Sequence, residues 1–175
     1  MSSHQRTLVF SDQFVISCGT VTVDVQRSKV LLIRSRGSGE CMLPKGRKDV
    51  GESLEETARR ETFEETGVRV ELLPVSIRTL ATAAEATELP VPSTVTEPIA
   101  MNQRTTSEGV LKIIFWYVAV ADSSGVQEEK TTHQENEDFD TIWTDFGDVP
   151  SVVSFKEDCR IAQAAIAAVL ATCSS

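Results

Sequence analysis

The sequence predicts an α/β fold in a single domain, and three observations carry that reading. Two strand-like runs open the chain, a well-capped helix follows near residue 54, and a long apolar run near residue 115 leads to an alanine-rich helix at the end. At 175 residues the chain is long enough to bury a substantial core.

From Phe14 to Val25, apolar and polar residues alternate loosely, and Lys29 to Ile33 adds a short apolar run, so both read as strands joined by a polar turn. Arg34 to Glu40 holds two glycines and two serines and reads as a loop, followed by a short apolar segment, Cys41 to Leu43. A second loop opens with Pro44, Lys45, Gly46 and Arg47. Ser53 and Glu56 form a capping-box pattern and Gly67 suits a left-handed C-terminal cap, which predicts a helix from about Leu54 to Thr66.

Val68 to Leu80 suggests one long strand or a strand broken at Pro74. Residues 82–109, with Pro90, Pro92 and Pro98, read as a long surface loop. Val110 to Ala121 has the apolar continuity of a central strand, with Trp116 and Tyr117 on opposite faces and both assigned to the core. An acidic loop from Glu128 to Asp138 precedes a strand at Phe139 to Thr144, and Phe155 to Thr172 has helical spacing.

The 26 acidic residues against 17 basic ones give a formal charge of −9, which argues against general affinity for nucleic acid or anionic membrane. Cys18, Cys41, Cys159 and Cys173 form no CxxC pair, so no zinc site or disulfide framework is expected. The polar stretch Met1 to Gln13 has no apolar run of signal-peptide or membrane-spanning type, and a cytoplasmic or nuclear location is expected.

The helix carries the chemistry. At about 100° per residue from Glu61, Glu65 falls at about +40°, Glu64 at about −60°, Leu54 at about +20° and Ala58 at about +60°. The three carboxylates therefore share a face with apolar residues. Glutamates three and four residues apart repel one another, and a divalent cation between them removes that repulsion. Their hard oxygens suit magnesium or manganese. Arg60 lies within reach of Glu56 and Glu64 and can orient a carboxylate through a forked pair of hydrogen bonds.

The segment GRKDVGESLEETARRETFEETGV, residues 46–68, resembles the box of the Nudix hydrolase family: Gly46, Glu52, Arg60-Glu61, Glu64-Glu65 and Gly67 stand at its spacing. Thr62 departs from it, since the family usually places an aliphatic residue there. The resemblance implies an α/β/α sandwich with a mixed central sheet and a loop-helix-loop around the box. It also implies Mg2+ or Mn2+ held by Glu61, Glu64 and Glu65, with the Gly46 carbonyl as a further ligand and Glu52 and Arg60 bracing them. Glu64 or Glu65 would accept a proton from the attacking water. Some members recruit a glutamate from outside the box, for which Glu137 is the first candidate here and Glu135 the second.

Arg34, Arg36, Lys45, Arg47 and Lys48 gather around the box in an otherwise acidic chain, a pattern suited to a dense polyanion. The LPKGR loop and the Ser35-Arg36 pair resemble the subgroup acting on diphosphoinositol polyphosphates and dinucleoside polyphosphates. Arg47 and Lys48 stand where its diphosphoinositol members commonly have glycines. The resemblance thus implies a small polyanionic substrate, a diphosphoinositol polyphosphate first and a diadenosine polyphosphate second, and leaves the oligomeric state open. The alternatives are a nucleoside triphosphate pyrophosphohydrolase, which would want an aromatic clamp around its base, and a silent ligand-binding module on the same fold.

Overall fold

The computed structural model describes residues 7–82, 94–128 and 138–174. Eight strands run in chain order: β1 (Phe14–Asp24), β2 (Lys29–Ser35), β3 (Cys41–Met42), β4 (Lys45–Arg47), β5 (Glu71–Leu72), β6 (Ala100–Thr105), β7 (Leu111–Val120) and β8 (Phe139–Asp145). Helix α1 (Leu54–Thr66) lies between β4 and β5, and a short α2 (Val149–Val152) precedes α3 (Lys156–Cys173). No helix among the described residues is long and apolar enough to cross a membrane.

The sheet is mixed because β1 and β7 are parallel over ten register pairs, from Phe14↔Leu111 to Val23↔Val120, while their other neighbours are antiparallel. The far edge of β1 is shared: β4 pairs with Ser17 to Gly19 and β2 with Val23 and Asp24. Beyond that divergence β2 continues into pairing with β3 and β8. Close approach at the divergence requires a glycine, since a Cβ on Gly19 would sit 2.3 Å from the Pro44 carbonyl oxygen and 2.7 Å from the Trp116 ring.

Alternation along β1 and β7 sends side chains to two cores. Val21, Val23, Trp116 and Val118 meet Ile161, Ala162, Ala165 and Val169 of α3, while Cys18 and Tyr117 meet Ala58 of α1. Helices on both faces give the α/β/α sandwich, and Trp116 and Tyr117 do lie on opposite faces.

Three expectations need correction. Residues 44–47, read as the opening of a loop, hold strand β4, paired antiparallel with Ser17 to Gly19 of β1. Ala100–Thr105, placed within the 82–109 loop, is strand β6, paired antiparallel with Thr105↔Leu111 through Ala100↔Trp116. Its polar residues carry no hydrophobic alternation, because it is an edge strand with Met101, Gln103, Arg104 and Thr105 exposed. Val68 to Leu80 forms only the two-residue β5 and an isolated bridge, Val75↔Val95. Pro74 has no N–H to extend a ladder beyond β5.

Candidate active site

The box helix begins where predicted. Ser53 Oγ accepts from the Glu56 N–H at 3.2 Å, and Glu56 Oε2 accepts from the Ser53 N–H at 2.8 Å. It ends at Gly67, with φ of 70° and its N–H donated to the Phe63 carbonyl at 2.7 Å. The angular count holds: Glu61 and Glu65 are 9% and 2% exposed, and Ala58 is buried beside them.

Arg60 organises this face. Its Nε donates to Glu52 Oε1 at 2.7 Å and Nη2 to Glu52 Oε2 at 3.0 Å. Nη1 donates to Glu61 Oε1 at 2.8 Å and Glu64 Oε2 at 2.9 Å, and Nη2 reaches the Arg47 carbonyl at 2.8 Å. All five guanidinium donors are thereby used. The expected contact with Glu64 is present; Glu56 is instead engaged in the helix cap. Glu52 also accepts from the Asp49 N–H and the Thr57 hydroxyl, and these bonds, led by Arg60, hold its carboxyl down at about 2.

Strand β4 passes directly over the carboxylates. A Cβ on Gly46 would lie 1.7 Å from Glu61 Oε2, so only glycine admits that carboxylate. The neighbouring Lys45 N–H donates to Glu65 Oε2 at 2.7 Å. Three hard-oxygen side chains and a backbone pressed against one of them are the chemistry a divalent cation requires. Arg60 offsets part of their charge. Among the described residues no three carboxylate, histidine or cysteine side chains already enclose a metal-sized space. Glu137 and Glu135 lie outside the described residues.

Thr62 is accommodated by a buried hydroxyl chain. Its Oγ donates to the Ala58 carbonyl at 2.8 Å, so Thr20 Oγ, 2.8 Å away, must donate to Thr62 and accept from Thr22 at 2.7 Å. The polar replacement in the helix is answered by two threonines of β1.

The basic residues divide into two groups. Arg36 bonds Asp138 and Asp140 at 2.8 Å each, and Arg34 bonds Asp140 at 3.3 Å. Ser35 Oγ accepts from the Ser38 N–H at 3.2 Å, and Lys48 donates to the Asp49 carbonyl at 2.9 Å. Lys45, in contrast, lines a cavity of about 490 Å³ with Met42, Asn102, Ile114, Trp116, Phe155 and Asp158 around it. The Trp116 indole N–H donates to Asn102 Oδ1 at 2.8 Å, which orients the Asn102 amide. Asp158 Oδ2 accepts from the Leu43 N–H at 3.0 Å, and burial pushes its carboxyl upward.

Trp116 is thus both a core residue and a wall of this cavity. Asn102 and Asp158 escape sequence reasoning because one sits in an unpatterned edge strand and the other in the first turn of a helix, where an acidic residue is ordinary.

The family model for the NUDIX domain matches residues 15–159. Nudix hydrolase 3 of Caenorhabditis elegans is 41% identical over 81 residues, a match covering 42% of this chain and 34% of that protein, so the chain spans about a third of that relative's length. A Nudix-family hydrolase from Clostridium perfringens superposes with a TM-score of 0.60 at 18% identity, covering 88% of this chain and 97% of that one. The Caenorhabditis elegans Ap4A hydrolase superposes with a TM-score of 0.58 at 18% identity, covering 90% and 98%. These structures share the sandwich, and the family model spans the sheet, the box helix and the cavity, so the chain belongs to the Nudix family of hydrolases.

Proposed function

We propose that this protein hydrolyses a phosphoanhydride bond in a nucleoside-linked polyphosphate, with dinucleoside polyphosphates as the first candidates. The observation that carries the reading is the cavity beside Lys45, whose backbone N–H is bound to Glu65. Its walls combine Met42, Ile114, Trp116 and Phe155 with the oriented amide of Asn102 and the carboxyl of Asp158. A purine offers apolar faces and a hydrogen-bonding edge, and this lining complements both.

Glu61, Glu64 and Glu65, with Gly46, are the residues that would hold Mg2+ or Mn2+. Such an ion supplies charge neutralisation at the bridging phosphates and activation of a water. Arg60 keeps Glu61 and Glu64 oriented while Glu52 locks Arg60. Glu64 is the better placed proton acceptor, since its side chain is 17% exposed while the whole of Glu65 is 2% exposed.

A second reading, hydrolysis of diphosphoinositol polyphosphates, is favoured by the cations Lys45 and Arg47 that flank Gly46 on β4. It is weakened by the ion pairs that already occupy Arg34 and Arg36. A phosphate-release panel with Mg2+ or Mn2+ tests both, using diadenosine polyphosphates, nucleoside triphosphates, diphosphoinositol polyphosphates and nucleotide sugars. Fastest turnover of a dinucleotide supports the proposal. Turnover confined to inositol substrates overturns it, triphosphates cleaved fastest indicate a nucleotide-pool enzyme, and no release from any points to a silent binding module.

A further inference from the structure

The last turn of the box helix carries charge of the wrong sign for its position. Helix α1 ends with Glu64 and Glu65 in its final turn and no basic residue there, at the end of the helix macrodipole that repels negative charge. A helix C-terminus also leaves four carbonyls without a partner inside the helix. Left to itself this turn frays, and unwinding even one residue carries its side chain off the face shared with Glu61.

Two other elements supply what the turn lacks. The Thr66 carbonyl accepts from Thr141 Oγ of β8 at 2.9 Å and from Gln127 Nε2 in the segment after β7. The Gly67 carbonyl accepts the Glu128 N–H at 2.9 Å, and a Cβ on Gly67 would lie 2.3 Å from the Glu128 carbonyl oxygen. Arg69 holds the Glu128 carboxylate through two bonds, of 2.8 and 2.9 Å, with its guanidinium 4.4 Å from the centre of the Phe63 ring. Arg60 and the Lys45 N–H hold the carboxylate heads of Glu64 and Glu65. The bonds at Thr66 and Gly67 fix the backbone from which those side chains hang.

We propose that Thr141 and Gln127 are positioning residues for the box carboxylates: by holding the Thr66 carbonyl they keep Glu64 and Glu65 on the face that Glu61 presents to a divalent cation. This rests on the metal-dependent reading of the box. Both residues lie outside the box segment and act through Thr66, without touching the ion or the substrate.

The test is calorimetric titration of the full chain with Mn2+ in the absence of substrate, alongside exchange of the Gly67 amide followed by NMR in metal-free buffer. Thr141→Val keeps the side-chain shape and removes the donor. It should bind Mn2+ roughly three- to tenfold more weakly, the scale of one lost hydrogen bond, and exchange the Gly67 amide faster. Thr141→Ser should restore both. Thr172→Val is the matched control, since Thr172 Oγ bonds the Ala168 carbonyl at 2.7 Å in the last turn of α3. Its loss should lower the melting temperature and leave Mn2+ affinity unchanged. Should Thr141→Val fail to fold, Gln127→Met, at an exposed position, provides the same reading. Wild-type Mn2+ affinity in both Thr141→Val and Gln127→Met, or an equal loss in Thr172→Val, overturns the proposal and leaves the metal reading standing. Absence of Mn2+ binding by the wild type overturns the metal reading and this proposal with it.

Discussion

Arg60 and Glu52 are joined by two hydrogen bonds of 2.7 and 3.0 Å, and this pair anchors the guanidinium that orients Glu61 and Glu64. The Glu52 carboxyl titrates at about 2 in the folded protein instead of 4.5. A carboxylate with a depressed folded value contributes stability that is complete above the unfolded value and is lost as pH falls toward the folded one. Wild type should therefore lose stability relative to Glu52→Gln between about 4.5 and 2, read by urea denaturation across that window. Parallel curves for the two proteins would contradict the assignment.

Replacing Gly46 with alanine puts a methyl group 1.7 Å from Glu61 Oε2, so the carboxylate must move. Displacement of about 1 Å at a reacting group costs on the order of 10²-fold in rate. Gly46→Ala should lose turnover to that extent and require more Mg2+ for half-maximal rate, while keeping its fold. A metal titration of initial rates would show it, and an unchanged midpoint would count against a metal role for Glu61.

Glu64→Gln and Glu65→Gln should each lower turnover by about 10²–10⁴-fold if they act as ligand or base. The two should differ in stability. Glu65 is buried and accepts the Lys45 N–H, whereas Glu64 is partly open to solvent. Near-normal turnover in either variant, with folding verified by circular dichroism, would remove that residue from the mechanism.

The hydroxyl relay Thr22 to Thr20 to Thr62 ends on the Ala58 carbonyl. Thr62→Val keeps the side-chain shape but leaves the buried Thr20 donor without its acceptor, at a cost of about 1–3 kcal/mol. Replacing Thr20, Thr22 and Thr62 by valine together removes every member at once. That triple variant should be destabilised by less than the sum of the three single changes in chemical denaturation. Strict additivity would mean the three hydroxyls act independently.

The box was legible in the chain because its chemistry is local. Capping, helical spacing and the Arg60-Glu61 and Glu64-Glu65 pairs all lie within one segment, and their geometry follows from 3.6 residues per turn. The strand of Leu111 to Val120 announced itself by apolar continuity. Strand β6 did not, because an edge strand needs no hydrophobic pattern to be held by its neighbour's backbone.

The box, its helix and the carboxylate face of that helix can be read from one segment of the chain. Which basic residues already carry acidic partners is visible only in the folded chain. Arg34 and Arg36, adjacent to the box in the chain, are held by Asp138 and Asp140 more than a hundred positions away. Arg104 and Lys112, far from the box in sequence, are placed by strand register on the same sheet face as Lys45 and Arg47. The reason is the range of each interaction: helix geometry couples residues within a turn or two, whereas charge pairing and strand register couple residues that only the folded sheet brings together.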